Sequence, residues 1–217
     1  MAHMRRELDR ASLHYERFSA LRGDALPAEM ARYFPIGVGL SPGEIGCYAS
    51  HLAIMQEVIR GERQAPLLVL EDDVGLPAGL DAALNELIAA APATWDIVRL
   101  SYPTKLITRP IAALREGRNL VRYSRVPTTT GAYLISASGA RKFLAERPRS
   151  VPVDHDLRRV WEWNLDTYGV SPPLIAHEVL GASSIDTLSP QGRATLHRRE
   201  REARTTLARL RRGIRDF

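Results

Sequence analysis

Pro66 opens a continuous apolar run, Leu67-Leu68-Val69-Leu70, that stops abruptly at three carboxylates, Glu71-Asp72-Asp73. A run of that length predicts a strand covered on both faces and central in a sheet. Leu80, Leu84, Leu87 and Ile88 then recur at helical spacing up to Pro92, and Trp95 to Leu100 reads as the next strand, a strand–helix–strand unit suited to parallel pairing. Upstream, Ser41 as cap, Pro42 at the first helical position and Glu44 three residues after the serine predict a helix that runs to about Arg60. Ile45, Ala49, Leu52 and Ile59 supply its buried face, and Gly61 ends it.

The remaining pattern is less regular. Arg5 to Leu13 reads as a short charged helix, and Tyr15-Glu16-Arg17-Phe18 alternates as a half-buried strand does. Five glycines and prolines between Arg22 and Leu40 predict a loop with one helical turn. Glu116-Gly117-Arg118-Asn119 before Leu120-Val121-Arg122-Tyr123 predicts a hairpin or an excursion from the main sheet. Gly131 to Ile135 is a strand, Ser138 caps a helix through Arg147, and Asp154 to Trp163 is a further short helix. This is an α/β chain.

Length and composition then set bounds. A chain of 217 residues, 45% hydrophobic, supports one substantial core, which predicts a single domain over 1–195 and a basic amphipathic helix over 196–217. The eight arginines between His197 and Phe217, set against Glu200, Glu202 and Asp216, account for the whole net charge of +5. The body is therefore near neutral and is not built to cover nucleic acid. Leu196, Ala203, Leu207, Leu210, Ile214 and Phe217 recur at helical spacing among those arginines, as in a helix drawn to an anionic membrane surface or one packed on a core. Cys47 is the only cysteine, which rules out an intrachain disulfide and thiolate-rich zinc sites and fits a reducing cytoplasm. No run approaches the ~20 apolar residues needed to span a bilayer, so the expected location is cytoplasmic, with any membrane association peripheral. Met1-Ala2-His3 reads as a cloning remnant before a native Met4.

The acidic triplet carries the chemistry. Three adjacent carboxylates at the edge of an apolar strand repel one another and call for a cation. Hard divalent ions, Mg2+ or Mn2+, take one or two protein carboxylates and share the rest of their shell with phosphate and water. Along an extended chain residues i and i+2 face the same way, so Glu71 and Asp73 form the expected metal pair while Asp72 turns to a ribose, a sugar or a basic group. A solvated acidic turn is the plain alternative.

Four ordered blocks resemble glycosyltransferase family 25: Gly43 to Leu52, Leu70 to Asp73, Thr130 to Ser136 with Gly139-Ala140, and Pro152-Val153-Asp154. That family includes bacterial lipooligosaccharide glycosyltransferases and is similar to the catalytic portion of collagen galactosyltransferases. The resemblance, running from about Tyr15 to Ile185, implies a GT-A-like fold with a mixed central sheet and a UDP-sugar donor, often UDP-galactose. It further implies a divalent metal at the acidic motif and inverting transfer to a hydroxyl of a surface glycan or glycolipid. It places Ser50 and His51 near the donor, and Thr130, Gly131 and Tyr133 at a sugar pocket. An inverting transfer needs a base, and a carboxylate must supply it. Asp154 in the proline–aspartate block is the first choice and Asp156 the second. Their ordinary alternatives are a core histidine at 51, packing at 131 and 133, and a helix cap at 154. Family members open with an apolar strand that helps form the nucleotide site, whereas this chain opens at the helix that follows. The competing functions are therefore an inactive nucleotide- or sugar-binding remnant and, more remotely, a metal-dependent phosphoester hydrolase.

Overall fold

The computed structural model describes residues 2–11, 13–102 and 106–177. In chain order its helices are α1 (Ala2–Ala11), α2 (Ala28–Ala31), α3 (Pro42–Arg60), α4 (Leu80–Ala90), α5 (Ala137–Phe143), α6 (Val153–Arg158) and α7 (Val160–Trp163). Its strands are β1 (Leu67–Leu70), β2 (Val74–Gly75), β3 (Ile97–Arg99), β4 (Thr108–Ala113), β5 (Asn119–Tyr123), β6 (Ala132–Ile135), β7 (Thr167–Ser171) and β8 (Ala176–His177). The helix α3 forms for the reasons its sequence gives. Ser41 Oγ accepts the Glu44 N–H at 3.3 Å, Glu44 accepts the Ser41 N–H at 2.8 Å, and Gly61 closes the helix at φ 77°, a left-handed conformation glycine adopts without strain. Its buried stripe is Tyr48, Ala49, Leu52, Met55 and Val58; Ile59 falls just off it and is exposed.

Six strands make one mixed sheet in the order β1-β6-β3-β7-β5-β4. β3 and β7 are parallel and every other neighbouring pair is antiparallel. β1 and β3 do run the same way, as a strand–helix–strand unit requires, but β6 lies between them and pairs with both, Val69 and Arg99 each opposite Tyr133. In this sheet β1 is at one end of the order rather than in the middle. Its two faces are nonetheless covered: Leu67 and Val69 pack with α3 and α5, and Leu68 and Leu70 with the core containing α4. The β4–β5 hairpin is no excursion, since β5 joins β7 and so extends the main sheet.

Three further local expectations change. Tyr15 to Phe18 forms no strand, because that segment has no ladder partner, and Glu16 instead meets Arg63. Ser136, not Ser138, caps α5, accepting the Gly139 N–H at 3.0 Å, and the helix stops at Phe143. The segment after Pro152 is two short helices broken at Arg159 (φ −85°, ψ 55°). The expected one-turn helix within 22–40 is α2, and the first helix lies at Ala2–Ala11.

Two apolar cores flank the sheet, one beneath α2, α3, α5, α6 and α7, the other beneath α1 and α4. This α/β arrangement with a six-stranded mixed sheet is consistent with a GT-A-like fold. The described residues fall within one compact unit, Met1–Leu180. The expected basic helix at 196–217 lies outside the described residues, and among the described residues no helix is long and apolar enough to cross a membrane.

Candidate functional site

Because β6 runs against β1 and β3, the start of β6 lies beside the ends of both. The Glu71 N–H donates to Gly131 O at 2.8 Å and so extends the β1–β6 ladder by one residue. Alternation then puts Leu67, Val69 and Glu71 on the face covered by α3. Beyond Glu71 the chain turns at Asp72-Asp73 and enters β2. The extended geometry expected to align Glu71 with Asp73 therefore stops at Glu71. Asp72 is exposed, and Asp73 Oδ1 is shielded from water without a hydrogen-bond partner among the described residues.

Glu71 is held from two sides. Thr130 Oγ1 donates to Glu71 Oε1, and His51 Nε2, reaching down from α3, lies 3.9 Å from the same oxygen. His51 Nδ1 is 2.8 Å from the Tyr133 hydroxyl. Burial, and after it the Arg99 charge, depresses the His51 ring to about 4, so it is neutral at pH 7. Burial pushes the Tyr133 phenol up, so it keeps its proton and is able to donate to Nδ1. In that arrangement the imidazole proton sits on Nε2, on the side of the Glu71 carboxylate.

Arg99, at the end of β3, carries no motif of its own in the sequence beyond its place in a strand. It is fully buried, its Nη1 donates to Thr129 O, and its Cζ is 5.8 Å from the Tyr133 ring centre. Desolvation lowers its pKa, against Tyr133, Tyr123, Asp154 and Glu71, which favour the cation. The signal available in the sequence was a single arginine in phase with Ile97 in a strand buried on both faces.

The other expected residues divide into two groups. Asp154 stands in the first turn of α6 with its side chain 30% exposed, makes no capping bond, and lies within electrostatic reach of Arg99 and Cys47, as Glu71 does. Thr130, Gly131 and Tyr133 border Glu71 as described. Asp156 instead turns into the core, where it accepts the Tyr48 hydroxyl at 2.7 Å. Tyr48 in turn accepts from Arg149 Nη1 at 3.1 Å, and Arg149 is ringed by Tyr33, Tyr48, Phe143 and Trp163. Burial raises the Asp156 carboxyl against Tyr48, Arg159 and Arg149. Ser50 donates to Gly46 O at 2.7 Å and accepts the Leu21 N–H at 2.8 Å, tying the preceding segment to α3. Gly46 permits that closeness, since a Cβ there would meet Leu21 O at 2.5 Å. The Cys47 thiol, pushed up to about 12 by burial and by Glu71, Asp154 and Glu44, is not a nucleophile.

Among the described residues no three His, Cys, Asp or Glu side chains converge as a ready metal cage. Glu71 and Asp73 offer oxygen donors, and the shielded, unsatisfied Asp73 Oδ1 is an atom a cation would complete. Mg2+ or Mn2+ takes one or two protein carboxylates when phosphate and water supply the rest, and these two are the candidates although the turn after Glu71 removes the expected alignment.

Residues 1–157 match the profile of glycosyltransferase family 25, described as an LPS biosynthesis protein family. The chain is 34% identical over 148 residues to inactive glycosyltransferase 25 family member 3 of Homo sapiens, covering 64% of this chain and 24% of that one. It is 31% identical over 155 residues to procollagen galactosyltransferase 2 of Homo sapiens, covering 69% and 24%. It is 29% identical over 155 residues to procollagen galactosyltransferase 1 of Danio rerio, covering 69% and 25%. The chain thus spans about a quarter of the length of these curated relatives. With its profile match covering more than half its residues, this chain belongs to glycosyltransferase family 25.

Proposed function

We propose that this chain is an inverting hexosyltransferase. It moves a sugar, galactose first among the candidates, from a nucleotide-diphospho-sugar to a hydroxyl of a glycan or glycolipid such as a bacterial lipooligosaccharide. The observation that carries the reading is the constrained Glu71 carboxylate at a strand end, fixed by Thr130 and faced by His51, with Asp154 in reach of the same buried arginine. Asp154 takes the proton of the acceptor hydroxyl as its oxygen bonds to the anomeric carbon. The bond from that carbon to the diphosphate oxygen breaks on the opposite face, and the configuration inverts. Glu71 and Asp73 would hold a divalent ion, whose charge offsets that of the departing diphosphate. His51, Tyr133 and Thr130 orient Glu71, and exposed Asp72 is free to meet the sugar or ribose.

The test is calorimetry with UDP-galactose and Mn2+, followed by turnover with a glycan acceptor. Wild type should bind and transfer, while Glu71→Ala and Asp73→Ala should lose metal-dependent donor binding and keep their unfolding midpoints. Full binding in both variants would remove the site assignment. A second reading, a donor-binding protein without turnover, is supported by the relative whose name includes "inactive". Donor binding with no sugar transfer under any acceptor would favour it.

A further inference from the structure

The end of β3 collects polar groups that nothing among the described residues satisfies. Arg99 uses Nη1 on Thr129 O, but Nε and Nη2 are buried with no hydrogen-bond partner. Those two nitrogens form the side-on edge of the guanidinium, where parallel N–H bonds match two oxygens of one anion. Ser101 Oγ, the Tyr123 hydroxyl and Thr167 Oγ1 are likewise shielded and unpartnered.

These groups share one face of the sheet. Arg99 and Ser101 alternate in phase with Ile97, whose side chain belongs to the core under α3. Thr167 is the register partner of Ile97, and Gly169 that of Arg99. A Cβ on Gly169 would lie 1.6 Å from the Tyr123 hydroxyl, so Tyr123, from the neighbouring β5, lies across that glycine towards Arg99. The absence of a side chain at 169 is what allows the phenol to occupy this place.

An unsatisfied buried polar group costs about 1–3 kcal/mol, and an uncompensated buried cation more. Several on one patch, without a partner among the described residues, suit a bound ligand. The open groups are one cationic edge and hydroxyls able to donate, so the complementary species is an oxyanion with at least two oxygens. We propose that Arg99, with Ser101 and Tyr123, forms an oxyanion subsite that receives the diphosphate of the nucleotide-sugar on the side-on edge of the guanidinium. This rests on the transferase reading for the identity of the anion. Glu71, a carboxylate in electrostatic reach of Arg99, is the group to which that reaction brings a diphosphate. The edge is shielded from water in this structure, and an anion seated there is held where a charge-assisted pair is strongest.

The experiment is calorimetric titration of the full chain with inorganic pyrophosphate in EDTA, which removes any contribution from a metal. Wild type should bind. Tyr123→Phe and Ser101→Ala should each weaken binding, and Arg99→Lys, which keeps the charge and loses the side-on edge, should weaken it about tenfold or more, as expected for one charged hydrogen bond. Tyr123→Phe should leave the unfolding midpoint unchanged or raised, because in the free protein it deletes only an unpartnered hydroxyl. Absence of pyrophosphate binding to wild type, or equal binding by Tyr123→Phe and Arg99→Lys, would overturn the subsite. If Arg99→Lys does not fold, the two milder variants still decide. Arg99-dependent pyrophosphate binding without sugar transfer would sink the transferase reading alone. Sugar transfer at unchanged donor KM in Tyr123→Phe and Arg99→Lys would sink the subsite alone.

Discussion

The two candidate bases separate in paired alanine variants. Asp154 is nearly a third exposed, its carboxylate lies 4.0 Å from His155 Nε2, and α6 takes its cap from Pro152 without a side-chain bond. Asp154→Ala therefore forfeits only a favourable placement at a helix start, about 0.3–1 kcal/mol. At about 2–4 °C per kcal/mol for a protein of this size, the melting temperature moves by a few degrees at most. Transfer should fall by about 10²–10⁴, the usual contribution of a general base. Asp156→Ala does the reverse. It leaves the Tyr48 hydroxyl proton without its acceptor and removes the anion of the buried Arg149 network. Breaking such an arrangement costs about 3–5 kcal/mol. Because burial already raises the Asp156 carboxyl, its ionised form is not fully compensated, and the lower end applies. A loss of about 3 kcal/mol is a drop of roughly 6–12 °C, with kcat of the folded protein within about twofold of wild type. The assay is UDP release from UDP-galactose with acceptor at a temperature where both variants are folded, beside a melting curve of each. Loss of transfer in Asp156→Ala at an unchanged midpoint, with Asp154→Ala active, would refute the assignment.

Two further outcomes follow from burial around the same face. His51 is depressed to about 4 from 6.5, so the stability this gives is complete above pH 6.5 and is lost as pH falls through about 4. The window is worth about 3 kcal/mol. Urea unfolding in EDTA at pH 7 and 4 should show His51→Gln with a shallower pH dependence than wild type, and equal slopes would count against a neutral buried ring. Gly169→Ala should cost about 1–3 kcal/mol or more by overpacking against Tyr123, and much less when introduced into Tyr123→Ala. Additive losses in the four-protein cycle would contradict the close approach.

What the sequence discloses is what local chemistry decides. The capping box at Ser41 and Glu44 and the glycine at 61 are recognisable because each acts on its own helix end. Ser136 and Ser138 are two residues apart and either could cap. The choice falls to tertiary packing, with Ser136 N–H on Asp96 O and Gly139 pressed so close to Asp96 that a Cβ would lie 2.4 Å from its carbonyl oxygen. The insertion of β6 between β1 and β3 is invisible to a rule that pairs consecutive strands. For the site, the acidic triplet announces itself by charge at the end of an apolar run. Asp156 looks equivalent to Asp154 until Tyr48, more than a hundred residues away, claims its carboxylate. Arg99 gives no separate motif, and only the three-dimensional burial of its unsatisfied edge sets it apart.

The antiparallel insertion of β6 also makes the site a register device. Tyr133 faces both Val69 and Arg99, and the loop that leads into the strand delivers Thr130 to Glu71 and Thr129 to Arg99. A slip of one residue would turn Tyr133 to the opposite face, away from His51, and carry the threonines off both charged side chains in the same movement. Substitutions that loosen the pairing of this one strand would thus silence the acidic and the cationic halves of the site together, while leaving each helix intact.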